Sequence, residues 1–553
     1  MSTSKVLVVG AGPSGLTLAL SLLRHGISVR VIDKNVVANP GQRGSGLRDT
    51  TTSTQPRTLE VLEALGLWDK VSQFTMPVPK VAIYKVPGGT EILNEIDMIT
   101  HVDATPDIPH PNAVFFGQNH HETILSEAIK KLGGIIDRGI ELRSLQQSED
   151  CVQVTLRNVT DGALVEASYE YVAGMDGGKS VVRKALGIPF FGETLEDTQV
   201  VFGDFYVNGL ERDRIHVWGE IAKRGLFARP TETPKLFSLI IAGDAQNYIN
   251  SSNKIEVVKA MVKEYTGGRE DLKIVDSVWH GIYRFNIRMA SQFSKGRVFI
   301  GGDAAHVHSP TGGQGVNTGV QDAYNLAWKL ALVLCGQASP AFLETYGSER
   351  IPIVAEMLNL TTQLLNMTLT VKDGSTDPNA MARGGKLNLL GVNYRTSKIV
   401  IDDGEPAEPV SSYGGPDGGP VRAGDRAPDA SGLVRVGIEE SARLFEIFDS
   451  RLHTVVIFVD RLAQELTTPP VLFTKFSPEF VRIVVVRQAQ ANAKPMPDMV
   501  VYQDRDGHAY NAYHSVDQSG KIFVIRPDGF VGARLQDIGS VDKYFDQIFS
   551  LRS

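Results

Sequence analysis

Short apolar runs alternate with segments of helical period at the start of the chain, the pattern of strands covered by helices. Val6–Val9 leads into Gly10-Ala11-Gly12-Pro13-Ser14-Gly15, then a helix over Leu16–Arg24 and a strand over Val29–Ile32. This predicts a βαβ unit. A further helix is expected over Val61–Leu67, and β-like runs broken by Pro and Gly follow from Lys80–Val86 to Pro111. Strands are predicted at Glu141–Leu145, Val152–Leu156 and Glu166–Val172. Residues 198–285 read as strand-rich, with Val200–Val207, Arg214–Trp218, Leu236–Ile241 and Val275–Arg284 extended and an amphipathic helix near Ile255–Tyr265. The short strand Val298–Ile300 runs into Gly301-Gly302-Asp303, and Gly312-Gly313-Gln314-Gly315 opens a helix marked by Val320, Ala323, Ala327, Leu330 and Leu334. Phe342–Leu365 continues as helix, Met367–Gly418 is rich in Gly, Asp and Pro, the run Asp403–Pro420 lacks periodicity and reads as a linker, and Thr454–Val459, Val481–Val486 and Ile522–Arg526 predict a small α/β domain.

With 553 residues the chain exceeds one hydrophobic core, so two or three domains are expected. A net charge of -7 without a basic run gives no footprint for nucleic acid. No apolar run approaches the ~20 residues of a bilayer span, so no membrane partner is expected and the cytoplasm is the default location. Cys151 and Cys335 are far apart and carry no metal-ligand spacing, so neither a disulfide nor a metal site is indicated.

The glycine run supplies the chemistry. In G-x-G-x-x-G, Gly10 serves the tight turn, Gly12 the approach of a pyrophosphate and Gly15 the packing of helix on strand. Asp33 closes the next strand, where it can accept from ribose hydroxyls. No second such run occurs, so the chain offers one dinucleotide site and no separate seat for a nicotinamide cofactor. At the second glycine loop, the free N–H groups and positive end of a helix suit an anionic or electron-rich group.

GAGPSG, MDGGKSVVR at Met175–Arg183 and GGDAAHVHSPTGGQGVNTGVQDAYNLAWKL together resemble the three fingerprints of class A flavoprotein monooxygenases, the para-hydroxybenzoate hydroxylase and phenol hydroxylase group. The resemblance implies an α/β architecture: a Rossmann-like FAD-binding domain (1–75, 112–197 and 286–365) interleaved with an antiparallel-sheet substrate domain (76–111 and 198–285). A linker (366–420) and a thioredoxin-like domain (421–553) would follow, the latter redox-inert because no cysteine lies beyond 335. It implies FAD held by Gly10, Gly12, Pro13, Ser14, Gly15, Asp33, Lys34, Arg43, Gln118, Asp176, Arg183, Asp303, Gly313, Gly315, Val316 and Asn317, with Asp176 open to the alternative of capping the helix near Ser180. Tyr206, His216 and Trp218 fall near the family's substrate-contacting strand, with His216 and Trp218 open to the alternative of packing residues, and the Pro310 carbonyl would face the reacting edge. The polar stretch Arg48–Thr54 interrupts the family's loop and is expected as a mobile or exposed surface excursion. The implied reaction is hydroxylation of a small aromatic substrate, a phenol or phenolic polyketide, with O2 and transient NADPH or NADH, through a C4a-hydroperoxyflavin; a homodimer is expected. A flavin oxidase or epoxidase on a non-aromatic substrate, and a non-catalytic flavin-binding protein, are the alternatives.

Overall fold

The computed structural model describes residues 4–37, 51–86, 89–220, 223–243, 245–309, 311–370, 385–404, 411–414, 419–438, 440–459, 476–489, 500–513 and 522–549. Arg43, Pro310 and residues 48–50 lie outside the described residues.

Val6–Val9, all four residues buried, sits at the middle of a six-stranded sheet. Burial on both faces is what an unbroken apolar run selects. Val29–Asp33 and then Ile135–Arg138 add in parallel on one side; Tyr171–Gly174 and Val298–Ile300 add in parallel on the other, closed by the antiparallel edge Ser294–Lys295. The first strand is therefore a switch point, with successive connections leaving to opposite sides. Helix Pro13–Arg24 starts on Pro13, whose fixed φ suits the first turn, and packs against helix Gly315–Leu334.

An eight-stranded, mostly antiparallel sheet runs from His306–Val307 through Lys273–Ala290, Phe190–Asn208, Leu236–Ala242, Arg224–Pro230, Arg214–Glu220 and Lys80–Tyr84 to Ile92–Ile96. Of its two long strands, Phe190–Asn208 begins before 198 and Lys273–Ala290 ends after 285, so the nucleotide-binding and strand-rich parts share them. Helix Lys254–Tyr265 covers one face, burying Val258, Met261 and Val262 against Phe205, Trp218 and Phe237. The other face meets Phe115 and Leu365 of the nucleotide-binding body.

Two expectations are corrected. Thr51–Thr54 is no surface excursion: it forms a strand antiparallel to Val114–Gly117, with Ser53 opposite Phe115 and Thr54 buried. Its β-branched run finds a partner some sixty residues on, which a local reading of polarity does not reveal. Nor is 366–420 a plain linker: Leu387, Leu389, Val392, Tyr394, Ile399 and Tyr413 are buried, and Tyr394 Oη accepts from Arg350 Nη1 at 3.1 Å.

The C-terminal sheet is mixed. His453–Val459 lies between parallel Val481–Gln488 and antiparallel Ile522–Ile525, and Val531–Leu535 follows antiparallel to the latter. Its apolar face, including Val455 and Val524, packs with Phe545 of helix Ser540–Asp546 against Trp328 and Leu332 of helix Gly315–Leu334. Among the described residues no helix is long and apolar enough to cross a membrane, and no cluster of His, Cys, Asp or Glu could hold a metal ion.

Candidate active site

The carboxyl ends of adjacent parallel strands carry Gly10, Asp33, Met175-Asp176 and Gly301-Gly302-Asp303, so one sheet edge collects the predicted cofactor residues. Gly10 has φ +108°, and a Cβ there would lie 2.3 Å from the Met175 carbonyl oxygen. A Cβ at Gly15 would sit 2.0 Å from the Gly10 oxygen, yet one at Gly12 would meet nothing within 4 Å. Two glycines thus close the turn onto the fold and the third keeps a space beside the helix start. Asp33, 6% exposed, accepts from Ala11 N at 2.9 Å and from Asn35 N and Nδ2 at 2.9 and 2.8 Å, so the turn aims this carboxylate. Lys34 is exposed beside it. Ser14 packs under Gly302 and Gly319, where a Cβ on either would meet its Oγ within 2.7 Å.

The second glycine loop lies against the strand Thr51–Thr54. Asn317 Nδ2 donates to the Ser53 and Gly313 carbonyls at 2.8 and 2.6 Å, and its Oδ1 accepts from Gln55 N at 2.8 Å. Gln314, 0% exposed at the helix N-cap, donates to the Gly312 and Leu387 carbonyls at 3.0 Å each and accepts from Tyr413 Oη at 2.9 Å. Gly312 and Gly313 adopt φ +94° and +63°, a region costly for other residues. Val316 is half-buried beside Gly315, and a Cβ at Gly315 would come within 3.1 Å of His308 Nε2. Burial lowers the His308 imidazole to about 4, so it stays neutral near this helix start.

Three predicted residues hold protein rather than open space. Gln118 Nε2 donates to Glu122 Oε1 at 2.8 Å. Asp176 accepts from Ser180 Oγ, Val181 N and Val182 N at 2.5, 2.6 and 3.3 Å; this is the capping alternative, and burial pushes its carboxyl up. Arg183 donates to the Ala304 and Gly178 carbonyls at 2.7 and 2.9 Å, tying the Asp303 turn to that loop. Asp303 itself is exposed at the strand end.

Sequence reasoning missed Asp322. Fully buried, it accepts from Gly302 N at 3.0 Å, pairs with His306 Nε2 at 2.7 Å and takes Arg350 Nε at 2.8 Å. It therefore fixes the turn that presents Asp303. Burial would raise its carboxyl, but Arg350 and His306 overcome that and hold it at about 2. Against an ordinary value of 3.8 this is worth about 2 kcal/mol, present above pH ~4 and lost as pH falls toward 2. Asp322→Asn should accordingly lower denaturant stability at neutral pH by about that much, with the gap to wild type closing in acid. An unchanged midpoint at neutral pH would refute this.

A family profile described as an FAD binding domain matches residues 3–361, and one described as a phenol hydroxylase C-terminal dimerisation domain matches residues 458–553. A flavin-dependent monooxygenase of Mycobacteroides abscessus is 34% identical over 84% of this chain and 92% of its own. The chain belongs to the class A flavin-dependent monooxygenases. Pentachlorophenol 4-monooxygenase of Sphingobium chlorophenolicum is 29% identical over 82% of this chain and 79% of its own. Among solved structures, the flavin-dependent monooxygenase PieE in complex with FAD and substrate superimposes with a TM-score of 0.80 over 99% of both chains at 21% identity. Aklavinone-11 hydroxylase with FAD and aklavinone does so with 0.76 over 99% of both at 25%. This monooxygenase takes FAD as its cofactor, and the open side of Gly12, the aimed Asp33 and the glycine-lined helix start fit that group.

Of the substrate-side candidates, His216 and Trp218 take the packing alternative. His216 is 2% exposed and Trp218 0%, both on the sheet face covered by helix Lys254–Tyr265 and so turned from the nucleotide-binding body. Both His216 nitrogens are engaged, with Tyr84 Oη and the Glu211 carbonyl at 2.8 Å each, and Trp218 Nε1 donates to the Gly89 carbonyl. They are packing residues. Tyr206 is 36% exposed, two residues before the strand ends at Asn208. The face toward the body instead carries Phe202, Asp204, Phe227, Arg229, Trp279 and Tyr283, fixed by the pairings Phe202↔Gly281, Asp204↔Trp279 and Arg229↔Ser238. Burial, and then the charge of Asp303, raise the Tyr283 phenol, so this ring lies within electrostatic reach of the turn at Gly301-Gly302-Asp303.

Proposed function

We propose that this monooxygenase is an NAD(P)H- and O2-dependent hydroxylase of a phenolic or aromatic polyketide-like substrate. The observation that carries the reading is the half-exposed aromatic face of Phe227, Trp279 and Tyr283 on the side of the sheet that meets the nucleotide-binding body, with Tyr283 within electrostatic reach of Asp303. The kinds of molecule in the names of pentachlorophenol 4-monooxygenase and aklavinone-11 hydroxylase support it. Bound FAD, reduced by the nicotinamide, supplies the activation of oxygen. The chain's own residues bind and orient: N–H groups beside Gly12 for the pyrophosphate, Asp33 for the ribose, Asp303 for the ribityl hydroxyls, and the Gly312–Asn317 helix start for the electron-rich ring edge. Asp176, Arg183 and Asn317 support these loops. The aromatic side chains of that sheet face keep water from the reacting centre.

The C-terminal region is proposed to be a redox-inert, thioredoxin-like domain serving a homodimer. The central His453–Val459 strand with one parallel and one antiparallel neighbour, the absence of cysteine after 335 and the dimerisation-domain profile support this.

Phenols should accelerate NAD(P)H oxidation, and oxygen-18 from O2 should enter the ring; no stimulation across a broad panel, or product oxygen from water, would sink the assignment. Asp303→Ala should weaken FAD binding at least about tenfold, with folding retained because its side chain is exposed at the turn. Fluorescence titration of apoprotein with FAD measures this, and unaltered affinity would remove Asp303 from the site.

A further inference from the structure

Asp204 is 0% exposed in the floor of the aromatic face. Its Oδ1 accepts from Ser238 Oγ at 2.5 Å and its Oδ2 from Trp279 Nε1 at 2.9 Å. Beside it on the next strand but one stands Arg229, half-buried, its guanidinium 5.0 Å over the Phe115 ring. Arg229 Nε is buried with no hydrogen-bond partner among the described residues. A buried donor left unpaired is costly, so a guanidinium kept this way beside a half-exposed aromatic face is matched to something that docks there. The charge it shows a ligand depends on its neighbours, and the strands and loops around it bring two carboxylates. Asp204 lies within coulombic reach, and Glu232 does too, though His120 Nε2 stands 3.5 Å from Glu232. From the nucleotide-binding body come Phe115 against Arg229 and the charge of Asp303, which acts on Tyr283.

We propose that Asp204 sets the charge preference of the aromatic site: as a carboxylate it offsets Arg229 and admits a neutral phenol, and as a carboxylic acid it leaves the guanidinium to hold a phenolate. The inference rests on the phenolic reading above and deepens it. Burial raises the Asp204 carboxyl to about 6 against the two hydrogen bonds it accepts, and burial lowers Arg229 to about 10, so the arginine stays charged while the aspartate changes state near neutrality. Asp204 acts through Arg229, so it is a positioning residue.

The test uses the holoenzyme and ligand-induced flavin difference spectra, which need no turnover. Pentachlorophenol is the anionic probe and phenol the neutral one, titrated at about pH 5 and about pH 8. In wild type the preference for the anion should be at least about tenfold greater at the lower pH. Asp204→Asn, which keeps the shape, should show the high preference at both pH values, and Asp204→Glu should restore the dependence. Arg229→Met should lose the anion preference at both. If both phenols bind wild type with a ratio flat in pH, or Asp204→Asn behaves as wild type, the proposal fails while the phenolic reading stands. If neither phenol binds wild type, both fall.

Discussion

Replacing Gly12 by alanine should leave the chain folded and unable to hold FAD, whereas the same change at Gly10 or Gly15 should damage the fold itself. The three positions share a motif but not a physical role. At Gly12 the backbone has φ -86° and ψ 179°, which any residue adopts, and an added methyl would touch nothing of the protein. The methyl would occupy the space that the helix start leaves for a pyrophosphate, at a cost of at least about 100-fold in affinity, about 3 kcal/mol. At Gly10 the methyl would meet the Met175 carbonyl at 2.3 Å and the backbone would be held at φ +108°; at Gly15 it would strike the Gly10 carbonyl at 2.0 Å. Those two changes combine a clash inside a closed core with, at Gly10, backbone strain, and losses of about 4 kcal/mol are expected. Circular dichroism and apoprotein melting separate folding from cofactor loss. A Gly12→Ala protein that retains flavin through gel filtration would mean that the pyrophosphate lies elsewhere.

The same contrast explains what the sequence discloses. Gly10, Gly12 and Gly15 are legible because their spacing, the apolar strand before them and Asp33 after them are all local. Asp322 is not: its importance comes from Gly302 N, His306 and Arg350, which converge on it only after folding. The strand-rich segment shows a related limit. Alternation along Arg214–Trp218 assigns His216 and Trp218 to one face, but it does not say which face meets the cofactor. Helix Lys254–Tyr265 decides that by covering theirs, and so the proposed aromatic site is placed on the other face, with Trp279, Tyr283 and Arg229. Thr51–Thr54 was hidden for a similar reason, since its partner strand lies beyond Met76–Pro77 and the intervening loops.

Arg526→Met should destabilise the whole enzyme, although the residue lies on the C-terminal sheet domain. Arg526 is 2% exposed and makes a two-armed pair with Glu349 at 2.8 and 2.9 Å while donating to Asp528 at 2.9 and 2.6 Å. Glu349 also takes Lys329 Nζ at 2.6 Å, Asn325 Nδ2 at 2.7 Å and Ser397 Oγ at 2.7 Å. Two buried cations, Lys329 and Arg526, thus balance two buried carboxylates, Glu349 and Asp528. Removing one cation leaves a net buried negative charge, which costs about 3–5 kcal/mol. Lys329 and Asn325 belong to helix Gly315–Leu334, whose first turn carries the glycine loop, so the loss should reach the cofactor site as weaker FAD retention. The pH dependence gives a sign. In wild type, burial alone would raise Glu349, but Arg526 and Lys329 hold it well below the usual carboxylate range, so its contribution persists above that range and is lost only in strong acid. In the variant an under-compensated carboxylate is raised instead, and its penalty should shrink as pH falls. Melting curves at about pH 5 and about pH 8 should therefore show a larger gap between wild type and variant at the higher value. Equal melting temperatures, or a gap that widens in acid, would show that this network does not join the domain to the fold.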